Sequence, residues 1–594
     1  MKSFLKYVLA TMVGMVLIGI IAAIVYVGAV VALLSGNGPT NVQENSVLVI
    51  DLSGTICERT RENPLRFLNR GTADAQGLDH LLAAIRTAKE NDKVRAIYIE
   101  AGTLSGCAPA LLEELHAALE DFKSSGKPII AYGNTYTQGA YYLCSLADSL
   151  VINPEGDIMW MGLSGSVYYY KDLLERIGVQ MQVFKVGTYK SAVEPFLLNE
   201  MSDANREQIT TYQSEVWARI RDAVARSRGI SCERLDQLAD SVTLFRGTEL
   251  YLREGLVDKM AFSDEVPQLI ANTLGMDDSE DYCTVSVEEL ADLASSAPKN
   301  LSGESIAVYY AVGNIVDERT EMFSMDDEIV ADDVVDDLLR LADDDDIKAV
   351  VLRVNSPGGS AFASEQIAHA VASLGAQKPV VVSMGEYAAS GGYYISALAD
   401  WIVAEPTTLT GSIGIFGLFP NAEELIDKKI GIHTSTVKTH AMSDFGDPTR
   451  SFTDEEGALL QGYINRGYEL FTRRCAEGRH LPQDSVKVIG EGRVWTGEHA
   501  LSIGLVDQLG GLDEAIAVAK ERAGVEDGNV LHYPEQPSFW DSLLDMADEH
   551  RDTYADSRLQ QAFGPYYEHV KTAWQLSRRQ GVQTALPYHI EFNL

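Results

Sequence analysis

At 594 residues the chain is too long for a single hydrophobic core, and several domains are expected. Its 46% hydrophobic and 23% charged residues describe a folded globular protein and not a disordered one. A net charge of −38 argues against nucleic-acid binding, which needs basic surface to meet phosphate.

The first element is apolar. From Tyr7 to Leu34 no residue is charged, and Lys2 and Lys6 precede the stretch. A spanning helix needs about 20 apolar residues, whereas a cleaved signal peptide has an apolar region of about 7–15, so a retained membrane anchor is predicted. The leading lysines keep the N-terminus in the cytoplasm under the positive-inside rule. No later segment is long and apolar enough to return, so residues beyond about 38 are expected outside the cytoplasmic membrane.

After the anchor, short apolar runs ("AIYIE", "PIIAYG", "SLVINP") are separated by helical patterns such as "APALLEELHAALEDFKSS". A polar-aromatic stretch, "KVGTYKSAVEPF" (185–196), precedes a helix predicted to begin near "SDANREQ". The acidic clusters "DDEIVADDVVDD" (326–337) and "DDDD" (343–346) lack the spacing of a calcium loop and are expected as solvated helix faces and turns. Apolar runs then return as "AVVLRV", "PVVVSMG" and "WIVAEP", around the helical "SEQIAHAVASLGA". Strands alternating with helices predict parallel βαβ units in an α/β fold. Six cysteines (Cys57, Cys107, Cys144, Cys232, Cys283, Cys475) stand singly, with no CxxC pair, and no metal or cofactor site is predicted.

The two halves are copies. "TYTQGAYYLCSLADSLVINP" (135–154) matches "EYAASGGYYISALADWIVAEP" (386–406), pairing Tyr141 with Tyr393 and Pro154 with Pro406. "DKVRAIYIEAGTLSG" (92–106) matches "DDIKAVVLRVNSPGG" (345–359). "GTICERT" (54–60) echoes "GNIVDERT" (313–320), and "REGLVDKM" (253–260) echoes "SIGLVDQL" (502–509). Four motifs in one order at nearly constant spacing indicate a tandem duplication. The organisation read from this is an anchor at 1–38, a first repeat at 44–295, a second at 304–525, and an extension at 526–594.

Differences between the copies carry the chemistry. The second has Ser390 where the first has Gln138, and Gly358-Gly359 where the first has Ser105-Gly106. A structural N-cap would be tolerated in both copies; a catalytic apparatus kept in one explains why the serine and the glycine pair occur together. Gly358, Gly359 and Gly391 are therefore candidate oxyanion-hole donors, because backbone without Cβ can approach a developing oxyanion. For the base, His369 and His433 flank no triad signature, and a lysine neutralised by burial is the other option. Lys190 is the candidate. Aligning Gly178 with Gly431 puts Ser443 opposite it, with Lys438 the only lysine nearby. Each copy then holds one half of a serine–lysine pair.

These motifs, "RVNSPGGS", "YAASGGYYIS", "TLTGSIGIFG" and "VGTYKSAVEPF" in order, resemble the long, duplicated form of the signal peptide peptidase A (protease IV) family, over the chain from the anchor to about residue 525. The resemblance implies two Clp protease/crotonase-like domains behind a transmembrane helix. It makes Ser390 the nucleophile and Lys190 the general base, with Ser412 the hydroxyl that positions the lysine. It further implies a homotetrameric, ATP-independent serine protease of the bacterial inner membrane, with its catalytic domains on the periplasmic side, degrading remnant signal peptides and other apolar peptides. No GxxxxGKS phosphate loop is present, in keeping with this. The rival classes are a crotonase-type acyl-CoA enzyme, which needs neither the serine–lysine pair nor an anchor, and a non-catalytic membrane scaffold.

Overall fold

The structure, a computed structural model, describes residues 42–60, 75–104, 108–276, 282–296, 303–319, 327–535 and 582–585, with four positions between 14 and 19. The predicted anchor otherwise lies outside the described residues. Among those described, no helix is long and apolar enough to cross a membrane.

Each repeat builds its own sheet. In the first, the strand order is Lys259–Met260, Ser149–Ile158, Ile129–Tyr136, Val94–Leu104, Ser46–Gly54 and Cys283–Ser286, all parallel. In the second, Ile347–Ser356 is flanked by Val380–Ala389 and Ser305–Val312, and Trp401–Ala404 and Leu409–Gly411 both pair with Val380–Ala389. Runs such as "AIYIE" and "AVVLRV" are apolar throughout because a parallel sheet is covered on both faces. Separate apolar cores form around them, with Leu48, Ile97 and Leu150 in one and Val350, Leu352 and Ile402 in the other.

The repeats also reuse their polar contacts. Tyr141 donates to the Leu256 carbonyl at 2.8 Å, and Tyr393 donates to the Leu505 carbonyl at 2.9 Å. Asp148 accepts from the Ile129 N–H at 2.9 Å, and Asp400 from the Val380 N–H at 2.8 Å. The helix expected near "SDANREQ" runs Asp203–Arg228, capped by Ser202; its counterpart runs Asp454–Arg479, capped by Thr453. The last strand differs from the sequence reading. Asn529–Tyr533 pairs in parallel with Ser305–Val312, as Cys283–Ser286 does with Ser46–Gly54, so the second sheet continues past the boundary drawn at 525.

A third sheet joins the repeats, in the order Glu328–Val330, Asn314–Val316, Gly358–Ser360, Val582–Ala585, Ile415–Asn421 and Gln180–Val186. Gln180–Val186 of the first repeat lies antiparallel to Ile415–Asn421 of the second, Val186 opposite Ile415. This pairing carries the chain of the first repeat to the edge of the second. A buried ion cluster adds to the join: Arg353 donates to Glu58 at 2.8 Å and to Glu114 at 2.5 Å, and both carboxylates come from the first repeat.

Of the other expectations, Asp332, Asp333 and Asp336 lie exposed on the helix Ala331–Asp343. Cys57, Cys144, Cys232, Cys283 and Cys475 form no disulfide among the described residues.

Candidate active site

Ser390 sits where the strand Val380–Ala389 turns into the helix Gly391–Ser396. It occupies the N-cap position, yet its side chain makes no capping hydrogen bond, and its backbone is at φ 55°, ψ −110°. In the first repeat Thr137 holds the N-cap at φ −63° and accepts from the Ala140 N–H. Gln138, in the serine's place, instead accepts from the Met161 and Gly162 N–H groups. A non-glycine residue at positive φ is strained, and a sharp strand-to-helix turn of this kind lifts a hydroxyl clear of its own backbone. The Ser390 N–H is held by the Gly411 carbonyl at 2.8 Å.

Lys190 arrives on the loop that follows Gln180–Val186. Its Nζ lies 2.7 Å from Ser390 Oγ, 3.0 Å from Ser412 Oγ and 3.2 Å from the Ser412 carbonyl oxygen. Lys190, Ser390 and Ser412 are all fully buried. Burial disfavours the ammonium and pushes the lysine well below its ordinary pKa; no carboxylate contributes to offset this. A neutral amine has two N–H donors and one lone pair. Ser412 offers two acceptors, its hydroxyl and its carbonyl, which leaves the lone pair for the Ser390 hydroxyl. The arrangement can therefore take the proton of Ser390 without a histidine or a metal.

The second repeat grips the lysine loop. The Thr188 N–H and hydroxyl both donate to Glu491 Oε2, at 2.9 and 3.0 Å, and the Tyr189 N–H donates to the Glu491 carbonyl at 2.8 Å. Gln208 Nε2 donates to the Tyr189 carbonyl at 3.1 Å and to Ser191 Oγ at 3.0 Å, while its Oε1 accepts from the Val494 N–H. Gly492 is at φ 76°, and a Cβ there would come within 2.7 Å of Lys190 Cβ, so only glycine lets the loop approach so closely. Sequence reading missed Glu491, Gln208 and Gly492. The offset between repeats located Lys190, but nothing in the sequence pairs residues that lie three hundred positions apart.

Gly358 and Gly359 lie on the short strand Gly358–Ser360, and the Gly358 N–H donates to Ser356 Oγ at 3.1 Å. The serine turn adjoins this strand, since a Cβ on Gly392 would come 2.6 Å from the Ser356 carbonyl oxygen. Gly391 opens the helix directly after Ser390. His369, His433 and His440 take no part: all three are exposed, and His433 pairs with Asp427. Lys438 pairs with Asp444 at 2.9 Å.

The peptidase family S49 model matches residues 121–277 and 372–526, and the Clp protease model matches 303–401. The chain is 36% identical to Protease 4 of Salmonella typhi, over 88% of this chain and 86% of that one. It is 33% identical to Protease 4 of Haemophilus influenzae, over 84% and 83% respectively. A putative signal peptide peptidase SppA of Enterococcus faecium is 35% identical over 33% of this chain and 57% of that one.

Proposed function

Given that the chain belongs to peptidase family S49 and is a serine protease, we propose that it works through a Ser390–Lys190 dyad and degrades remnant signal peptides at a membrane. The observation that carries this reading is the 2.7 Å approach of Lys190 Nζ to Ser390 Oγ in a buried site with a depressed lysine pKa. Ser390 Oγ attacks the scissile carbonyl as its proton passes to Lys190 Nζ. The tetrahedral oxyanion is held by backbone N–H groups of Gly358, Gly359 and Gly391, each donor worth roughly 3–4 kcal/mol of barrier. Binding an oxyanion through Gly358 requires its N–H to leave Ser356 Oγ. The new ammonium gives its proton to the departing amine. Water then hydrolyses the acyl-enzyme with the neutral lysine again as base. No step consumes ATP.

Signal peptides as substrate are supported by the similarity to a putative signal peptide peptidase SppA of Enterococcus faecium. The uncharged stretch 7–34 behind Lys2 and Lys6 supports an inner-membrane anchor with a cytoplasmic N-terminus and periplasmic catalytic repeats. A homotetramer is supported by exposed apolar side chains on both repeats. Tyr168, Leu173 and Ile177 are exposed on the first repeat, and Ile430, Ile432 and Val437 on the second. Within the chain, Gln180–Val186 of the first repeat pairs with Ile415–Asn421 of the second; the stretches that correspond to these in the other repeat could form the same junction between head-to-tail copies and close a ring.

A fluorophosphonate probe tests the nucleophile: it is expected to label Ser390 in the full chain, and labelling elsewhere removes the dyad reading. Ser412→Ala is expected to lower kcat by about 10–100-fold, the usual effect of losing a partner that orients a reacting group. Removing a hydroxyl that solvates the ammonium depresses the lysine further, so the rise of kcat with pH should also move to lower pH. A pH–rate profile checks both, and an unshifted profile would leave Ser412 a packing role only.

A further inference from the structure

The duplication exposes a second difference between the copies. Pro406 matches Pro154, so Glu405 stands where the first repeat has Asn153. Asn153 is a satisfied amide: its Nδ2 donates to Tyr132 Oη at 3.2 Å and to Asn134 Oδ1 at 3.0 Å, and its Oδ1 accepts from the Glu155 N–H at 3.0 Å. Glu405 is only 7% exposed, and among the described residues no hydrogen bond or ion pair reaches its carboxyl. A buried polar group without a partner costs stability and calls for a reason.

The groups around it are committed elsewhere. Glu113 accepts from Arg219 at 3.1 Å and from the Thr407 N–H and hydroxyl at 3.0 and 2.7 Å. Glu114 accepts from Arg353 and from the Leu512 N–H at 3.1 Å, and Glu514 accepts from the Gly511 N–H at 2.8 Å. Arg353 also donates to Glu58 and Ser383. Burial, and then the negative charges of Glu114, Glu113 and Glu514, push the Glu405 carboxyl well above its ordinary pKa; Arg353 opposes them.

Glu405, Glu114 and Glu514 line a cavity of about 150 Å³ between the repeats, which includes no residue of the proposed active site. Leu82 and Ile85 on the helix Leu78–Glu90, with Ala118 on the helix Pro109–Lys123, give it an apolar wall from the first repeat. The two cations that line it are already paired, Arg86 with Asp513 and Lys89 with Asp121 at 2.7 Å. A cavity of this size holds about six non-hydrogen atoms, as one that takes up benzene does. A single free carboxyl is too few for a calcium ion, which takes about six to eight oxygens, but it suits one ammonium group.

We propose that this cavity binds a small primary alkylammonium ion between the two repeats, with its charge on Glu405 and its carbons on the apolar wall. The reading is independent of the dyad. In the free protein the protonated form of Glu405 is favoured; an ammonium beside it favours the carboxylate, so binding releases a proton and strengthens as pH rises. Because the ligand touches both repeats in the folded chain only, it also raises the denaturation midpoint.

Isothermal titration of the full chain with n-pentylammonium chloride at constant ionic strength tests this. The affinity is expected to rise from about pH 6 to 8, by up to about tenfold per unit, with release of a proton. n-Pentanol, which has the same carbons and no charge, is expected to bind at least about tenfold more weakly. Glu405→Gln, which keeps the shape of the neutral acid, is expected to lose about tenfold in affinity together with the pH dependence. Ala118→Leu fills the apolar end while leaving the carboxyl in place, and a similar loss is expected there; this variant decides the matter should Glu405→Gln fail to fold. Binding that is undetectable, unchanged by these substitutions, or matched by pentanol overturns the proposal. Equal binding of Nα-acetyl-lysine methylamide, the same ammonium on a peptide backbone, would make a protein lysine the occupant and overturn it as well.

Discussion

Lys190→Ala is expected to reduce kcat/KM for peptide hydrolysis by at least about a thousandfold, with the tandem fold retained. The amine touches Ser390 Oγ and Ser412, and no other base lies within hydrogen-bond reach of the serine among the described residues. Ser390→Ala should cost as much, and the double variant no more than either single one, because nucleophile and base act as a unit. In the wild-type protein the sign of the pH dependence follows from burial. The lysine is depressed below its ordinary value, its neutral form is the base, and activity therefore rises with pH through that depressed pKa. Lys190→Arg should not rescue, since a guanidinium stays protonated at any working pH. Steady-state kinetics across pH check all of this. A histidine variant with the same loss, folded, would mean the proton goes elsewhere.

Arg353→Ala is expected to be the most destabilising single change at the junction of the repeats, by about 3–5 kcal/mol, the usual cost of removing one partner from a buried ion pair. Arg353 has no exposed surface, and it bridges Glu58, Glu114 and the Ser383 hydroxyl. Burial already raises the Glu114 pKa against the pull of this arginine. Without the guanidinium, burial leaves Glu114 binding its proton more tightly in the folded protein than in the unfolded chain. The stability lost should therefore grow as pH rises above about 4, the ordinary carboxylate range. Denaturation midpoints at pH 5 and pH 8 measure it. Activity should fall too, because Asn355 on the same strand donates to Glu58 at 2.8 Å and accepts from the Tyr387 N–H at 3.2 Å, linking Glu58 to the strands that carry Gly358 and Ser390. A variant of wild-type stability would show that the cluster adds nothing to the join.

Much of this was legible in the chain itself. Apolar runs separated by helical patterns are local signals, and the parallel strands at the centre of both repeat sheets follow from them. The duplication let one copy interpret the other: Gln138 against Ser390 marked the serine, and the missing counterpart at Ser443 marked Lys190. Motifs of a few residues also singled out the two glycine-bearing turns, because they follow a strand and precede a helix. The strand Asn529–Tyr533 was missed because a single edge strand lacks a helix after it to announce a further βαβ unit.

What only the tertiary structure decided is the meeting of these parts. Lys190 and Ser390 are 200 residues apart, and it is the antiparallel pairing of Gln180–Val186 with Ile415–Asn421 that brings them to 2.7 Å. The state of the lysine is likewise not a property of its neighbours in sequence. A solvated lysine in "KVGTYKSAV" would be an ammonium; this one is a base because the loops around Ser412, Gly414 and Glu491–Gly492 exclude water from it. Sequence determines which side chains are present and which local elements carry them. Distance and desolvation depend on packing between segments far apart in the chain, and these convert a serine and a lysine into a nucleophile and its base.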